Sequence, residues 1–433
     1  MNSFCLRWLT VGWLAVASAL LAAAPEVLLK PQPAGGVIKP GEKIAWQVLV
    51  RGDGAAQVTE ATYTLKAGGA TLLGEGRLSL TNGAGFLETT LTKPGTVLAE
   101  VTIKPADGKP VRGLGGVAVA PEQIKPSLPA PDDFDAFWAA KLRELAAVPP
   151  QPELIRQESD KPGVDYWKLN LANVRGTRVR GQLARPTGEG KLPALLLVQY
   201  AGVYPLGKGN VTGPAADGWL TLNISAHDLP LDEPESFYQQ QSEGALKNYT
   251  AIGNDDRERS YFLRMFLGCY RAADYLATRP DWDGRTLVVS GTSQGGLQAF
   301  VTAGLHPKVS GLMALVPAGC DNTGDAVGRK PGWPYWMASG GADKDAAKMR
   351  ETSRYFDAVN FAARAKCPAL VGLGLIDTTS PASGVYSAIN QLHGPCEVVV
   401  LPESDHRGRN NTQAAYHPRA GVFRKTIRQA GTR

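Results

Sequence analysis

Cysteine, histidine and methionine are scarce in this chain: its 433 residues contain five of each. Cys5 falls in an N-terminal leader, while Cys269, Cys320, Cys367 and Cys396 lie far apart in apolar surroundings with no metal-ligand spacing. They read as small buried hydrophobes, not as a disulfide framework, and no metal site is expected. The stretch from Leu28 to Ala120 has neither His nor Cys, so chemistry is sought elsewhere. Blocks of one charge are missing too. The net charge of +6 is spread along the chain, which argues against a nucleic-acid or membrane-surface footprint. Beyond the leader no apolar run approaches the roughly 20 residues that span a bilayer. What remains is a globular balance, 43% hydrophobic and 20% charged, in a chain longer than one ordinary domain.

Four regions follow in order. Met1 to Ala24 has Arg7, an apolar run from Trp8 to Leu21 and small residues before Pro25, the grammar of a secretory signal peptide, so a secreted or periplasmic location is expected. Residues 25–120 carry short, partly alternating runs such as IAWQVLV, ATYTLKA and TVLAEVTI between Gly, Pro, Asn and Asp, which predicts a small all-β, immunoglobulin-like sandwich. It reads as an accessory module that packs on or spaces the next domain. Trp46 and Tyr63 are as readily core residues as a sugar platform. Residues 121–131 form a proline-rich linker. From 132 to the C-terminus strands and helices alternate, which predicts a mostly parallel sheet covered by helices on both faces.

In that last region TLVVSGTSQGGLQAFVTAGLH, Thr286 to His306, reads as strand, tight turn and helix. Ser293 sits at the turn. A serine hydroxyl is a weak nucleophile, and a sharp strand-to-helix bend exposes its Oγ to a carbonyl and to a base. Gly291 and Gly295 flank a backbone too crowded for Cβ atoms, and the Gln294 amide at the helix start is placed for a developing oxyanion. The bland alternative is a glycine-rich turn with a buried serine.

Reactive groups in such sheets collect at the carboxyl ends of strands. His406 follows the apolar strand CEVVVLP and Asp377 follows ALVGLGLI, whereas His306 and His393 close helices. His406 is therefore the expected base and Asp377 the acid that orients it, in the chain order Ser, Asp, His of α/β-hydrolases. Asp405 ranks below Asp377 because it is tethered beside His406. Asp281 and Asp283 read as turn residues. His227, at another strand end, is a candidate for the substrate pocket.

The segments DDFDAFWAAKLREL, RGQLARP, DWDGRTLVVSGTSQGG, SRYFDAVNFAARAKCPALVGLGLID and LPESDH together resemble the acetyl xylan esterase and cephalosporin C deacetylase family of carbohydrate esterases. The resemblance runs from about Pro126 to the C-terminus. It implies an α/β-hydrolase that removes acetyl groups from carbohydrates, with Ser293, Asp377 and His406 as triad and the Gln294 amide in the oxyanion hole. It implies no cofactor, and an acetylated oligosaccharide or small acetylated sugar as partner. The second oxyanion amide is expected between Gly202 and Tyr204, with Tyr204 the named candidate, and Tyr200, Gly202 and His227 are expected to contact substrate. Two departures stand out. The family's His-Gly-Tyr turn is replaced by Gln199-Tyr200-Ala201-Gly202-Val203-Tyr204, and the N-terminal β module is extra, placed to block or alter the ring-shaped hexamer the family often forms. Whether this chain is a homo-oligomer is thereby left open.

Rival readings are a prolyl-oligopeptidase-type peptidase, a general short-chain esterase and a non-enzymatic binding protein. The β region is too short for a propeller and lacks its repeats, and no triad position is lost. No long apolar lid of lipase type is seen. Tyr200, Tyr204, His227 and Asp228, with Trp333, Tyr335 and Trp336, would suit a sugar ring, although core packing explains tryptophans equally well. A chain beginning near Lys125 is expected to keep activity if the module is only accessory.

Overall fold

The computed structural model describes residues 24–105, 108–340 and 344–430. All but the last residue of the expected leader therefore lies outside the described residues. The N-terminal region is a two-sheet sandwich. Glu26–Gln32, Lys43–Arg51 and Ala84–Thr90 make a three-stranded sheet, and Val37–Ile38, Glu60–Ala67, Thr71–Ser79, Gly95–Ile103 and Val111–Val119 make a five-stranded one. Strand alternation sends Ile44, Trp46, Val48 and Val50 inward from the first sheet, and they meet Val97, Ala99, Val101 and Ile103 of the second in one core. Trp46 is fully buried there and Tyr63 packs against the same core, which removes Trp46 as a sugar platform.

A nine-stranded sheet organises the rest. The strands Leu220–Ile224, Leu192–Val198, Trp282–Thr292, Gly311–Leu315, Ala369–Gly374 and Cys396–Leu401 lie side by side in that order, all parallel. Arg178–Pro186, Val164–Ala172 and Glu153–Gln157 extend the sheet antiparallel beyond Leu220–Ile224. The parallel strands read as unbroken apolar runs because both faces are covered. Ala194, Leu196 and Val198, with Leu287, Val289, Leu312, Ala314, Val371 and Leu373, join one core with the helices Phe134–Ala146, Tyr261–Thr278 and Gln294–Leu305. Leu195, Val288, Met313 and Leu370 point the other way, onto Tyr416, Ala420, Phe423 and Ile427 of the closing helix Tyr416–Ala430. This is an α/β-hydrolase fold with an antiparallel β region in front.

Several elements differ from the reading above. Glu153–Gln157 is an edge strand that the pattern missed, because Leu154 and Ile155 face solvent and it is held by backbone pairing and by side-chain contacts such as Arg156 with Asp165 and Glu153 with Arg178. The helix Gly209–Ala216 contains Pro214 and two glycines, a composition that hides helical propensity. The linker is not a free spacer. Pro121–Gln123 is a short 3-10 turn, and the Ser127 N–H and hydroxyl both donate to Asp321 Oδ1, at 2.8 and 2.5 Å. The Asp133 carboxylate, just before the helix Phe134–Ala146, makes no cap bond; it accepts from the Tyr355 hydroxyl and pairs with Arg257. The aromatic face of that helix packs inward, with Trp138 against Phe266, Phe356 and Phe361.

Candidate active site

Ser293 stands between the strand Trp282–Thr292 and the helix Gln294–Leu305 with φ 56° and ψ −120°. A non-glycine residue in that region carries strain of about 1–3 kcal/mol, here maintained by the packing around the turn. A Cβ on Gly291 would lie 2.3 Å from the Gly295 carbonyl, and one on Gly295 would lie 2.5 Å from the Val198 carbonyl. Both positions therefore accept only hydrogen. The bend is closed by two bonds, from Ser293 N–H to the Leu315 carbonyl at 2.9 Å and from Ala318 N–H to the Ser293 carbonyl at 3.0 Å. These leave the Ser293 side chain partly exposed.

Three carboxyl-end loops converge on it. Ser293 Oγ is 2.8 Å from His406 Nε2, and His406 Nδ1 is 2.7 Å from Asp377 Oδ2. The Asp377 side chain has no exposure, while that of His406 keeps 20%. Asp377 is fixed through its other oxygen, because Oδ1 accepts the Thr379 and Ser380 N–H groups, each at 2.8 Å. The loops cross where Gly374 leaves no room: a Cβ there would lie 2.2 Å from the Ser404 carbonyl. Asp405 turns to its own loop, accepting from the N–H groups of Arg407 at 3.0 Å and Arg409 at 3.3 Å. The remaining sequence candidates serve elsewhere. His306 is buried and Asp283 caps the turn at Arg285 and Thr286, but Asp281 is a buried partner of Arg185 and Arg279, not a plain turn residue.

Opposite the helix start lies the turn from Gln199 to Tyr204. Gln294 is the first helical residue, so its N–H has no intrahelical acceptor. Among the described residues, none of the N–H groups from Tyr200 to Tyr204 donates to a backbone carbonyl, and that of Gly202 faces the Tyr249 hydroxyl. A buried network holds this turn to the helix. The Gln199 carbonyl accepts from Gln298 Nε2 at 2.7 Å and from Gln294 Nε2 at 3.4 Å. The Tyr249 hydroxyl donates to Gln294 Oε1, and the Gln199 side chain bridges the Tyr204 carbonyl and the Ala226 N–H. The sequence reading did not include Gln298 or Tyr249. A lone glutamine four residues after Gln294, on the same helical face, was the available signal.

His227 is only 2% exposed, with Nε2 3.0 Å from the Gly202 carbonyl and Nδ1 2.6 Å from the Tyr261 hydroxyl. A carbonyl can only accept, so Nε2 carries the proton and Nδ1 accepts from Tyr261. Burial pushes its pKa down to about 4, which keeps the ring neutral near neutral pH. His227 is therefore buried against the Gly202 carbonyl and presents no ring nitrogen to the open side of the turn. Tyr200 and Tyr204 stack at 4.6 Å, with Tyr200 54% exposed and the Tyr204 hydroxyl donating to the Tyr200 carbonyl. Trp336 is core, stacked on Phe262 and Phe356, whereas Tyr335 is exposed and Trp333 is held beside the acid loop by its N–H to the Thr379 carbonyl at 2.7 Å. Cys269, Cys320, Cys367 and Cys396 are all free thiols.

Fold and loop placement define an α/β-hydrolase. The family model for acetyl xylan esterase (AXE1) matches residues 122–419, and the chain belongs to that family. Acetyl esterase Axe7A of Xylanibacter ruminicola is 31% identical over 386 residues, spanning 88% of this chain and 86% of its own. That span is longer than the stretch from Glu122 to the C-terminus, so the likeness reaches into the β sandwich. The crystal structure of acetyl xylan esterase 1 from Thermoanaerobacterium sp. JW/SL YS485 aligns with a TM-score of 0.59 at 22% identity, covering 71% of this chain and 97% of its own. An acetyl xylan esterase from Paenibacillus sp. R4 gives 0.58 at 25%, covering 70% and 98%. Both match over nearly their whole length and leave more than a quarter of this chain uncovered.

Proposed function

We propose that this protein is a serine esterase that removes acetyl groups from acetylated carbohydrates through an acetyl-enzyme. The observation that carries this reading is the chain of short contacts from Ser293 Oγ through His406 to buried Asp377. His406 Nε2 takes the Ser293 proton as Oγ attacks the acetyl carbonyl. The tetrahedral oxyanion is met by the Gln294 N–H and by an N–H of the turn ending at Tyr204. His406 then protonates the departing sugar alcohol, and water repeats the cycle on the acetyl-enzyme. Tyr200 offers an exposed ring face beside this turn, the kind of surface on which a sugar stacks.

Membership of the acetyl xylan esterase family and the likeness to an acetyl esterase support the acyl group. Each methylene added to an acyl chain changes discrimination by roughly 1–3 kcal/mol in a pocket shaped for a methyl group. Rates should therefore fall steeply from p-nitrophenyl acetate through butyrate to octanoate, and acetate should be released from acetylated xylo-oligosaccharide without added metal. A rate that rises with chain length would move the protein to the general esterases. The leader-like segment from Met1 to Ala24 supports export, and mass spectrometry of exported protein still carrying Met1 to Arg7 would remove that part of the reading.

A further inference from the structure

The β sandwich meets the hydrolase domain directly behind Asp377. The strand Ala369–Gly374 ends immediately before Leu375, which leads through Ile376 to the acid, and Leu375 is held on one side by its N–H to the Leu401 carbonyl at 3.2 Å. On the other side it is seated against the sandwich. A Cβ on Gly116, in the strand Val111–Val119, would lie 2.1 Å from the Leu375 carbonyl oxygen and 2.5 Å from its carbon. A Cβ on Gly36 would lie 2.5 Å from Leu375 Cδ1. Leu375 is 6% exposed, and Ala118 of the sandwich shares its core cluster.

The contact continues past the acid. Thr96, Val97 and Leu98 face Leu375, Asp377 and Pro381 across a gap of about 20 Å³, room for one water at most. The insertion that carries Trp333 closes the far side. It is pinned to the sandwich by Lys330 N–H to the Gly68 carbonyl and Thr71 Oγ1 to the Gly328 carbonyl, both at 2.9 Å, and to the acid loop by Trp333 N–H to Thr379. After the loop, Asn390 Nδ2 donates to the Pro121 and Ile124 carbonyls at 2.7 and 2.9 Å.

We propose that the N-terminal sandwich is a positioning element of the catalytic site, with Gly116 as the seat on which the Leu375 carbonyl fixes the loop that aims Asp377 at His406. The inference rests on the Ser293, His406 and Asp377 reading above. Gly116 touches no reacting group; it acts through Leu375 and Asp377. A backbone-to-backbone approach this close transmits displacement, because neither peptide has a rotamer with which to yield.

The test is Gly116→Ala in the full chain, with Val101→Ala, in the sandwich core but not facing the loop, as the control for general loosening of the module. Three readouts are taken below the melting transition: kcat and KM on p-nitrophenyl acetate, the endpoint of titration with a serine-directed fluorophosphonate, and the rate of that labelling. Expected for Gly116→Ala are a kcat at least tenfold lower, KM within twofold, and slow labelling that still reaches the full endpoint. Val101→Ala should retain kcat within about threefold. A purely structural role would lower the endpoint instead, and equal loss of kcat in both variants or none in Gly116→Ala overturns the proposal. If Gly116→Ala does not fold, Gly36→Ala, at φ 65°, brings a methyl to 2.5 Å from Leu375 Cδ1, with the Gly116 carbonyl at 3.5 Å and Pro402 Cβ at 3.6 Å, and should give the same pattern at smaller size; unchanged kcat there also overturns it. Ser293→Ala run alongside separates the two readings, since an active Ser293→Ala would sink the esterase mechanism itself.

Discussion

Replacing Asp377 by Asn changes one atom, and the hydrogen bonds around it dictate which way the amide must face. Oδ1 accepts the N–H groups of Thr379 and Ser380, each at 2.8 Å. An amide nitrogen in that position would set three donors against one another in a buried pocket, so the amide oxygen must stay there. Its NH2 is then directed at His406 Nδ1, which lies 2.7 Å from Oδ2 in the present structure. Nδ1 is forced to accept, the ring proton moves to Nε2, and Nε2 faces Ser293 Oγ as a donor that cannot take the serine proton. Holding the wrong tautomer in a Ser–His–Asp triad costs about 10⁴-fold in kcat, or about 5.5 kcal/mol of barrier. Stability should change little, because volume and both backbone bonds are kept. The assay is kcat on p-nitrophenyl acetate at neutral pH, with the fold checked by thermal melting. Asp405→Asn, which alters only bonds to Arg407 and Arg409, should stay within about threefold. A loss of less than about tenfold in Asp377→Asn, or a larger loss in Asp405→Asn, would refute the assignment of the acid and the amide-orientation argument with it.

Two more predictions concern the nucleophile and the buried imidazole. Ser293→Ala should fold and lose turnover, because covalent catalysis needs Oγ; retention of more than about a tenth of wild-type kcat would make Ser293 the wrong nucleophile. His227 is held neutral by burial, with its pKa lowered to about 4, so the unfolded chain takes up a proton that the folded chain refuses as pH falls below about 6.5. The stability it contributes is present above that value and is lost between about pH 6.5 and 4, on the order of 3 kcal/mol at full development. His227→Gln, whose amide can still donate to the Gly202 carbonyl, should flatten the fall of melting temperature over that window, and an unchanged slope would contradict this account.

How much could be read before the structure follows from how far each feature reaches along the chain. The nucleophile turn is local: Gly291, Ser293 and Gly295 crowd one another over five residues, and strand and helix periodicities on either side declare the bend. The parallel strands declare themselves as well, since Leu195, Val288 and Met313 alternate with neighbours that face the opposite helical layer, so both phases of each strand are apolar. Family motifs from about Pro126 onward pointed to the same fold. Asp377 and His406 were legible through a coarser rule, that reactive loops follow the carboxyl ends of strands.

Other features depend on pairs that no local pattern joins. The choice of Asp377 over Asp405 as the carboxylate beside His406 is made by Thr379 and Ser380, which turn one carboxylate toward the ring, and by the loop that occupies the other with its own N–H groups. His227 looked like a pocket residue because it follows a strand, yet Tyr261 and Gly202 close over both its nitrogens. Gln298 carries no motif and is explained by distant partners, above all the Gln199 carbonyl that it meets from the helix after Ser293. The β sandwich was legible as a module but not as a neighbour of the acid loop, because a glycine in a strand gives no sign of what approaches it. Gly116 lies in the sandwich and Leu375 after a strand of the nine-stranded sheet, and their contact joins residues far apart in the chain. Local patterning determined the elements and the candidate nucleophile; tertiary packing decided which polar groups share a buried space, because a hydrogen bond or a backbone approach depends on distance in space and leaves no periodic trace along the chain.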